Sequence, residues 1–556
     1  MKIATQFILI LSLALVLAPA NGQDAKQKGL DALTLQAVQG QLEFLASDWT
    51  EGRATGTKGA YMAADYIASL FKVYGLSPGG DMVSLRPTRA ERMAGKRPTQ
   101  YRTFFQDFNL IETRAGENHE LSLTESTAGG SRTLNFAYHT DFSVQATGVS
   151  TEIDMPIVFV GYGLSDEKNG YDDFKGVDVK DRIILRLSGY PGHRDTESKA
   201  YQTFSKDWAL GRWTLMRAKN NRASELGVAA IIELDPGMDL TENWAANLPF
   251  RINSENYEGE KPRASYYETR MSLPGNELDG STIRISVSER VANELLKGTG
   301  VDLDAFQEKV QSSLKPESKI LAGKKLRVKT SVDSRLIRAR NVVGVLPGKD
   351  TTEIIVIGAH YDHLGIHDGW IWNGADDNAS GTVGVMSIAK ACLATGEKPE
   401  KTLVFCAWTG EEKGLLGSRY FADHPYDGAR MVLNLNYDMI SRDNENDSLK
   451  NMCTINYTRA YSVLKELTEK NIEEYNLNLD VAFRASERPR GGSDHSSFSQ
   501  KDVPIMYFMA GFPPEYHQPD DHIDLVNWDK MLNIIRLGYL DIWDLANSQW
   551  GPAEEE

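Results

Sequence analysis

Apolar runs in the second half of the chain alternate with segments of helical periodicity. Residues 354–357 are four β-branched residues in succession, which is typical of a strand covered on both faces. The predicted strands are Asn341–Leu346, Glu353–His360, Thr402–Trp408, Met431–Asp438 and Val503–Met509, and the predicted helices are Ala379–Leu393, Gly414–Asp423, Ala460–Tyr475 and Trp528–Ala546. Because strands and helices alternate, we expect an α/β sheet with helices on both faces.

Two amphipathic helices are predicted in the first part of the chain. Leu33–Leu45 and Gly59–Tyr74 both place apolar residues at helical spacing, and Gly75 ends the second helix in the usual manner. The polar loop Ser47–Arg53 separates them. A basic stretch with six cations, residues 86–102, follows the second helix, and its default interpretation is a solvated loop.

The sequence pattern changes near Ser150. Short, separated strands are predicted at Met155–Gly161, Arg182–Leu187 and Val228–Leu234, with a helix at Ala218–Leu226. The segment Gly237–Ser272 has no periodicity and is interpreted as an insertion loop. We therefore expect a separate β-rich domain at residues 146–325. It lacks the paired acids and histidines found downstream, which favours a non-catalytic lid or adaptor.

The first residues have the pattern of a targeting segment. Lys2 precedes the apolar run Phe7–Val16, and residues 18–20 match a small-residue cleavage site. The apolar run is shorter than the roughly 20 residues that a membrane span needs, so a membrane anchor is the less favoured alternative. We predict a signal peptide at residues 1–22 and export to the periplasm or the extracellular space.

Length, charge and cysteine content narrow the class of protein. The 556 residues predict two or more domains. The net charge of −16 argues against a nucleic-acid partner, which requires a basic surface. Three cysteines, Cys392, Cys406 and Cys453, exclude a dense disulfide framework and leave open whether one pair is bridged.

Side chains with metal-binding chemistry follow the predicted strands of the second half. They are His360, Asp362, Asp376, Asp377, Glu411, Glu412, Asp438 and His517. In open α/β sheets, ligands gather beyond the carboxyl ends of the strands. Imidazole and carboxylate ligands suit Zn²⁺, and one shared carboxylate can hold two ions about 3.5–4 Å apart. A glutamate beside a ligand glutamate remains available as a general base, so the pattern predicts a hydrolytic metal site.

Six motifs in this region carry a resemblance to a known family. They are HYDHLG, NGADDNASG, WTGEEKGLLGSRYF, NLNYDMI, GGSDHSSF and EYHQPDDHID. Together they resemble the M28 family of zinc metallopeptidases, the aminopeptidase and glutamate-carboxypeptidase clan, over the stretch Asn341–Ala546. The opening segment FLASDWTEGRATGTKGAYMAADYIASLF is similar to that family's first helices, and GYG, YDDFKGVDV and ASELGVAAIIEL resemble an inserted protease-associated (PA) domain.

The resemblance implies a fold and a domain order. The expected fold is α/β, a mixed and mostly parallel sheet sandwiched by helices (the zinc exopeptidase fold), with an inserted β-rich PA-like domain. The expected domains are a signal peptide at 1–22, an N-terminal part of the peptidase domain at 23–145, the PA-like domain at 146–325 and the catalytic part at 326–556.

The same resemblance implies roles for the matching residues. The expected ligands of two zinc ions are His360 and Asp438 for one ion, Glu412 and His517 for the other, and Asp377 as the bridge. Asp377 is preferred to Asp376 because the family places its bridging Asp three residues before the Ser of a Ser-Gly pair, here Ser380 and Gly381. The expected catalytic residues are Glu411 as general base, Asp362 as the residue that orients His360, and Tyr516 as the hydrogen-bond donor to the oxyanion.

Two further expectations come from the resemblance. A cis peptide is expected between Asp377 and Asn378. The remaining histidines of the region are interpreted as residues that support the ligands or lie at the surface, and they are His363, His367, His495 and His522. Asp494 and His495 are also weighed as residues that border the substrate pocket.

The implied function is a secreted di-zinc exopeptidase that hydrolyses peptide bonds through a zinc-bridging water activated by Glu411. We expect an aminopeptidase, because surplus negative charge at the site attracts the α-amine of a peptide. Arg484, Arg488 and Arg490 leave a carboxypeptidase open as the alternative, since clustered guanidinium groups bind carboxylates. A glutaminyl cyclase with one zinc, and a non-catalytic relative without metal, are further alternatives.

Overall fold

The computed structural model describes residues 21–138, 140–144, 149–208, 212–234, 269–275, 282–367 and 369–552. The predicted signal peptide falls almost wholly on residues 1–20, which lie outside this part, and the first described helix begins at Asn21. None of the helices in these ranges is long and apolar enough to cross a membrane.

A ten-stranded sheet organises the second half of the chain. Its strands, in spatial order, are Thr269–Ser272, Phe105–Ala115, Val332–Leu346, Lys401–Trp408, Asp350–His360, Arg430–Tyr437, Ile505–Met509, Met452–Thr458 and Asp480–Ser486, with Ser77–Pro78 paired on Val332–Leu346. The four strands from Lys401–Trp408 to Ile505–Met509 run parallel, and antiparallel pairs join them to their outer neighbours. The predicted mixed α/β fold class is confirmed by this sheet and its helices.

Both faces of the central strand are buried, as its continuous apolar run predicts. Ile355 and Ile357 pack in the larger core cluster, whereas Ile354 and Val356 pack in a smaller cluster on the opposite face. The helices of the larger side are Asn21–Asp31, Leu35–Leu45, Lys58–Tyr74, Gly381–Ala394, Ser462–Glu474 and Trp528–Ala546. The short helices Leu416–Asp423 and His495–Ser499 cover the other side through Phe421 and Phe498.

The two helices predicted near the start of the chain are present. Thr57 precedes the helix Lys58–Tyr74 and accepts a hydrogen bond from the backbone of Ala60, a regular N-cap. Gly75 ends this helix with φ 102°, a left-handed conformation that glycine adopts without steric cost.

A second, eight-stranded sheet has its own core. Its strands, in spatial order, are Gly130–Phe136, Glu120–Thr127, Lys319–Thr330, Thr151–Phe159, Ile183–Leu187, Ala230–Leu234, Ile283–Val287 and Phe142–Val144. The associated helices are Lys199–Trp208, Arg212–Glu225, Glu289–Leu296 and Leu303–Ser313. Three of its strands lie before residue 146, so the sheet extends further towards the N-terminus than the predicted β-rich segment. The identification of this part as a PA-like domain stays a prediction.

The two sheets are joined by a long antiparallel pair. Phe105–Ala115 and Val332–Leu346 pair over eleven residues. The chain passes into the second sheet after Ala115 and returns from it just before Val332, at the same end of the pair. The predicted insertion loop Gly237–Ser272 lies mostly outside the described residues. Its last four residues, Thr269–Ser272, were expected to be loop but form a strand on Phe105–Ala115.

Short elements complete the described chain. The basic stretch forms a hairpin, Met82–Leu85 paired with Thr99–Arg102, with the short helix Arg89–Met93 between the strands. Two other small hairpins pair Ser165–Asp166 with Tyr171–Asp172 and Gly365–His367 with Trp370–Trp372. The 3₁₀ turns are Asp48–Arg53, Glu167–Asn169, Tyr426–Gly428 and Ile523–Leu525. All three cysteines are buried and free, so the possible disulfide is not present.

Candidate metal centre

The donor side chains sit at the carboxyl ends of the central parallel strands. His360 ends the strand Asp350–His360 and pairs with Trp408, which ends the neighbouring strand. Asp438 directly follows the strand Arg430–Tyr437 on the other side. Since the strands are parallel, these ends meet at one edge of the sheet, where α/β folds place their ligands.

Connections beyond the same edge carry the remaining donors. Glu411 and Glu412 lie in the turn after Trp408, Asp377 lies in the turn Ala375–Ser380, and His517 lies in the loop after the strand Ile505–Met509. The eight residues predicted to form the site are thus assembled from five separate segments of the chain.

A first group of donors surrounds His360. Its Nε2 atom lies 3.4 Å from Oδ1 of Asp438 and 3.5 Å from Oδ1 of Asp377. An oxygen of Glu411 lies 3.9 Å from the same nitrogen. His360, Asp377 and Asp438 are all buried, and their ligand atoms are close enough to one another to share a metal ion.

A second group of donors surrounds His517. Its Nε2 atom lies 3.0 Å from Oδ2 of Asp377 and 3.3 Å from Oε2 of Glu412. Asp377 therefore turns one carboxylate oxygen towards each group.

The separations between donor atoms fit a bound metal ion. Zinc ligands lie about 2.0–2.2 Å from the ion, so that the donors at the corners of a tetrahedron are about 3.4 Å apart. The four N···O distances from His360 and His517 to Asp377, Asp438 and Glu412 scatter around this value. Oδ1 of Asp438 is buried without a hydrogen-bond partner, as expected of an atom reserved for a ligand. The residues around His360 thus fit a metal ion, and the donor distances around His517 lie in the same range.

Charge is concentrated at the centre. Burial lowers the pKa of His360, but the carboxylates of Glu411 and Asp438 outweigh it and raise that pKa well above the usual value. Burial acts in the same direction on His517, and Glu412 and Asp377 likewise raise its pKa well above normal. The raised pKa values of the two imidazoles indicate an excess of negative charge around them, which a divalent cation would offset.

The turn that carries Asp377 is held by a buried carboxylate. Asp521 accepts hydrogen bonds from the backbone N–H groups of Asp376 and Asp377, at 3.0 Å each. Asp376 in turn accepts from the backbone and the hydroxyl of Ser441, both at 2.8 Å. Asp376 is therefore engaged away from the donor groups. The peptide between Asp377 and Asn378 is cis, which confirms the expectation from the resemblance.

Arg53 ties the two ligand loops to the N-terminal segment. Its fully buried guanidinium donates to the carbonyls of Tyr361 at 2.7 Å, Asn373 at 2.6 Å and Gly374 at 2.8 Å, and also to that of Leu45. Tyr361 is adjacent to His360, and Gly374 precedes the turn of Asp377. Sequence reasoning assigned Arg53 only to a polar loop; no local signal distinguishes it from a solvated arginine.

Asp362 contacts more of the site than its predicted role requires. Nδ1 of His360 lies 3.1 Å from the backbone carbonyl of Asp362 and 3.8 Å from its carboxylate. The carboxylate itself accepts from the hydroxyl of Thr55 at 2.7 Å and from the backbone N–H of Glu411 at 3.2 Å. The orienting role of Asp362 stays a prediction, and the same side chain also connects His360 to the Glu411 turn.

His363 lies closer to the donors than sequence reasoning indicated. The residue is buried, and its Nδ1 atom lies 2.9 Å from Oε1 of Glu412 and 3.8 Å from Oδ2 of Asp377. These three residues form another set that could hold a metal. A Cβ atom at Gly374, which has φ 55°, would meet the His363 ring at 2.5 Å, so the close approach requires glycine. The spacing His360-x-x-His363 was the signal available in the sequence.

The remaining predicted residues border the centre or lie apart from it. Tyr516 is 36% exposed and stacks on the His517 ring with 3.9 Å between centroids. Asp494 is fully buried with no hydrogen bond to either carboxylate oxygen, and burial raises its pKa to about 7. His495 stacks on Tyr507, and burial lowers its pKa to about 3.

The predicted arginine cluster is solvent-exposed. Arg484, Arg488 and Arg490 are all exposed, and Arg488 forms an ion pair with Asp502 at 2.6 Å. His367 contacts the carbonyl of Leu364. None of these contacts joins them to the donor groups.

A carboxylate–imidazole centre at the carboxyl edge of an α/β sheet is typical of metal-dependent hydrolases. Residues 341–538 match the family model described as peptidase family M28. The matched stretch includes all the residues predicted above as zinc ligands or catalytic residues.

Curated relatives include peptidases of two kinds. The chain is 27% identical over 357 residues to "Leucine aminopeptidase 2" of Arthroderma otae, an alignment that spans 59% of this chain and 68% of the relative. It is 26% identical over 405 residues to "Glutamate carboxypeptidase 2 homolog" of Caenorhabditis briggsae, which spans 65% of this chain and 49% of the relative. The chain thus spans only about half of the second relative's length.

Solved structures share the fold over nearly the whole chain. An aminopeptidase from Aneurinibacillus sp. strain AM-1 superposes with a TM-score of 0.55 at 17% identity, covering 96% of this chain and 98% of the other. A zinc aminopeptidase from Bacillus subtilis superposes with a TM-score of 0.51 at 17% identity, covering 93% and 97%. At these identities the likeness establishes the fold.

Proposed function

We propose that the protein is a di-zinc exopeptidase that acts as an aminopeptidase. The placement of Asp377 carries this proposal, because its two oxygens face different donor groups. His360 and Asp438 would hold one zinc, Glu412 and His517 the other, and Asp377 would bridge them. The imidazole and carboxylate donors are those that zinc sites use.

Bound zinc would supply Lewis-acid activation of a water molecule and of the peptide carbonyl. Glu411 would take the proton of the attacking water and later deliver it to the leaving amine, since it lies beside the first donor group and is not needed as a ligand. Tyr516, beside His517, would donate its hydroxyl proton in a hydrogen bond to the carbonyl oxygen as negative charge develops there.

The charge distribution supports attack at the N-terminal end of a peptide. The two donor groups concentrate the buried carboxylates of Asp377, Glu412 and Asp438, and a cationic α-amine is attracted to such negative charge. The arginines that would favour a C-terminal carboxylate are exposed, and one of them is already paired. The leucine aminopeptidase among the relatives supports the same choice.

Paired peptide substrates test this proposal. One peptide is acetylated at its N-terminus, the same peptide is amidated at its C-terminus, and the products of the zinc-loaded protein are read by mass spectrometry. We expect acetylation to lower the rate by more than about 100-fold, because the buried carboxylates lose their charged partner, and we expect amidation to leave the rate unchanged. The opposite pattern would assign a carboxypeptidase, and cyclisation of an N-terminal glutamine without hydrolysis would assign a glutaminyl cyclase.

We further propose that the chain is exported after removal of a signal peptide near Ala20, as the apolar leader and its small-residue site favour. N-terminal sequencing of the protein from the exported fraction should then begin within a few residues of Asn21. Recovery of the intact Met1 N-terminus in the membrane fraction would contradict this.

A further inference from the structure

Residues 82–102 form an exposed basic arm on an otherwise acidic protein. The arm consists of the hairpin strands Met82–Leu85 and Thr99–Arg102 and the intervening helix Arg89–Met93. It carries six cations and a single carboxylate, Glu91, whereas the whole chain has a net charge of −16. The remainder of the molecule is therefore more acidic than the total indicates.

Four of the six cations on the basic arm have no ionic partner in the described part of the chain. Lys96 pairs with Glu91 at 3.1 Å, and Arg102 pairs with Asp427 at 2.5 Å. Arg92 donates a hydrogen bond to the carbonyl of Pro87, which leaves Arg86, Arg89 and Arg97 unpaired. All three are exposed.

The hairpin also presents an uncovered apolar face. Val83 lies opposite Tyr101, and Leu85 lies on the same face because side chains alternate along a strand. Their exposed fractions are 37% for Val83, 44% for Tyr101 and 58% for Leu85. An isolated two-stranded hairpin is at best marginally stable in water. Burial of this apolar face against a partner surface would therefore stabilise the hairpin.

The basic arm projects away from the metal centre. The arm joins the sheet at Phe105, which pairs with Val342. Val342 pairs with Ala407, close to the carboxyl end of the strand Lys401–Trp408. The preceding residue, Phe104, contacts Val343, one step further from that end. Arg102 of the arm pairs with Asp427, just before the amino end of the strand Arg430–Tyr437, whereas the donor groups lie at the carboxyl end of that strand. This contact places the arm away from the site, so it is not a lid.

We propose that the basic arm docks on the acidic surface of a second copy of this chain and forms a homodimer. Charge complementarity favours this occupant, since each copy presents one cationic arm and one strongly anionic body. An anionic lipid surface would attract the arm but repel the body. The arm's 21 residues are comparable to the roughly 20–30 residues that each partner contributes to a standard interface.

Sedimentation velocity of the full exported chain tests the proposal over about 1–100 µM protein, at about 50 mM and 500 mM salt, where exposed charges are screened to different degrees. The variant R86E/R89E/R97E reverses the three unpaired cations. The variant K58E/K175E/K398E changes the net charge equally at exposed lysines elsewhere and serves as the control. Circular dichroism and peptidase rate confirm that each variant is folded.

We expect a dimer for the wild type and the control at low salt, with dissociation at high salt. The arm variant should dimerise at least about tenfold more weakly, with an unchanged rate per chain. A wild type that stays monomeric throughout would overturn the proposal, as would an arm variant that dimerises like the control. A monomer that instead sediments with phosphatidylglycerol vesicles would identify a lipid surface as the occupant and overturn it as well.

Discussion

Glu411 and Glu412 are neighbours in the sequence with opposite electrostatic environments. Burial raises the pKa of Glu411 well above the usual value, and the nearby charge of Glu412 adds to this, while His360 opposes it. Burial acts on Glu412 too, but His517 and His363 outweigh it and hold that pKa well below normal. Two adjacent carboxyl groups whose environments separate their pKa values suit two tasks, proton transfer and metal binding.

Replacing Glu411 tests the first task. Glu411→Gln keeps the size of the side chain but cannot accept a proton, so we expect kcat to fall by about 10²–10⁴ with zinc content and melting temperature unchanged. Glu487→Gln, at an exposed glutamate, is the matched control. Residual activity within about tenfold of wild type would show that Glu411 is not the base.

Arg53 offers a second test at the level of single residues. Lysine carries its N–H donors on a single nitrogen atom and cannot reach the carbonyls on both ligand loops as the three guanidinium nitrogens do. We therefore expect Arg53→Lys to lower zinc retention on dialysis and to reduce kcat more than it changes KM. Arg186→Lys makes the same change at an equally buried arginine of the second sheet, which contacts Glu233. Equal effects of the two substitutions on zinc retention would contradict the role assigned to Arg53.

Most of the ligand set could be predicted at the residue scale, since each donor follows a strong strand signal or lies in a recognisable motif. Arg53 and the close approach of His363 could not. Arg53 acts on backbone carbonyls 308 to 321 positions away, and His363 reaches Glu412 49 positions away. Contacts of this range depend on tertiary packing, which local patterns do not encode.

At the scale of elements, the five strongest apolar runs predicted the four parallel core strands and the end of the antiparallel neighbour Val332–Leu346. The strands Met452–Thr458 and Asp480–Ser486 were not predicted, because they alternate between more and less buried positions and lie at one edge of the sheet. The strands Glu120–Thr127 and Lys319–Thr330 were also missed as members of the second sheet. Their partners are about 200 residues apart, and pairing over such a distance has no local signature.

A buried acid between two helices predicts a dependence of stability on pH. Asp541 on Trp528–Ala546 accepts hydrogen bonds from Thr468 and Asn471 on Ser462–Glu474, both at 2.8 Å. Burial raises its pKa to about 7, opposed by those hydrogen bonds. A carboxyl group whose pKa is higher in the folded state binds its proton more tightly there, so the folded state loses stability as pH rises from about 4 to about 7.

Asp541→Asn removes this titration while it preserves the size of the side chain. We expect the melting temperature of the variant minus that of the wild type to increase from pH 5 to pH 7. The difference between their free energies of unfolding should change by on the order of 1 kcal/mol per pH unit. Asp544→Asn, on the same helix but partly exposed, is the control and should show a weaker dependence. A pH-independent difference for Asp541→Asn would mean that this group is already ionised in the folded protein.

At the scale of the whole molecule, the ten-stranded sheet, called here the peptidase sheet, and the separate eight-stranded sheet are joined by the pair Phe105–Ala115 and Val332–Leu346. The donors all come from the peptidase sheet and its connections. The non-catalytic role expected for the second sheet stays a prediction. The metal centre is thus the feature on which the proposed activity depends.

Zinc content after exhaustive dialysis, measured by elemental analysis for wild type and Asp377→Ala, tests the proposed centre most directly. Since the two oxygens of Asp377 face different donor groups, we predict about two zinc ions per wild-type chain and the loss of both from the variant. Asp376→Ala is unsuitable as a control because that side chain holds Ser441; Asp494→Asn should retain both ions. One zinc in the wild type, or one retained by Asp377→Ala, would contradict a bridged two-zinc centre.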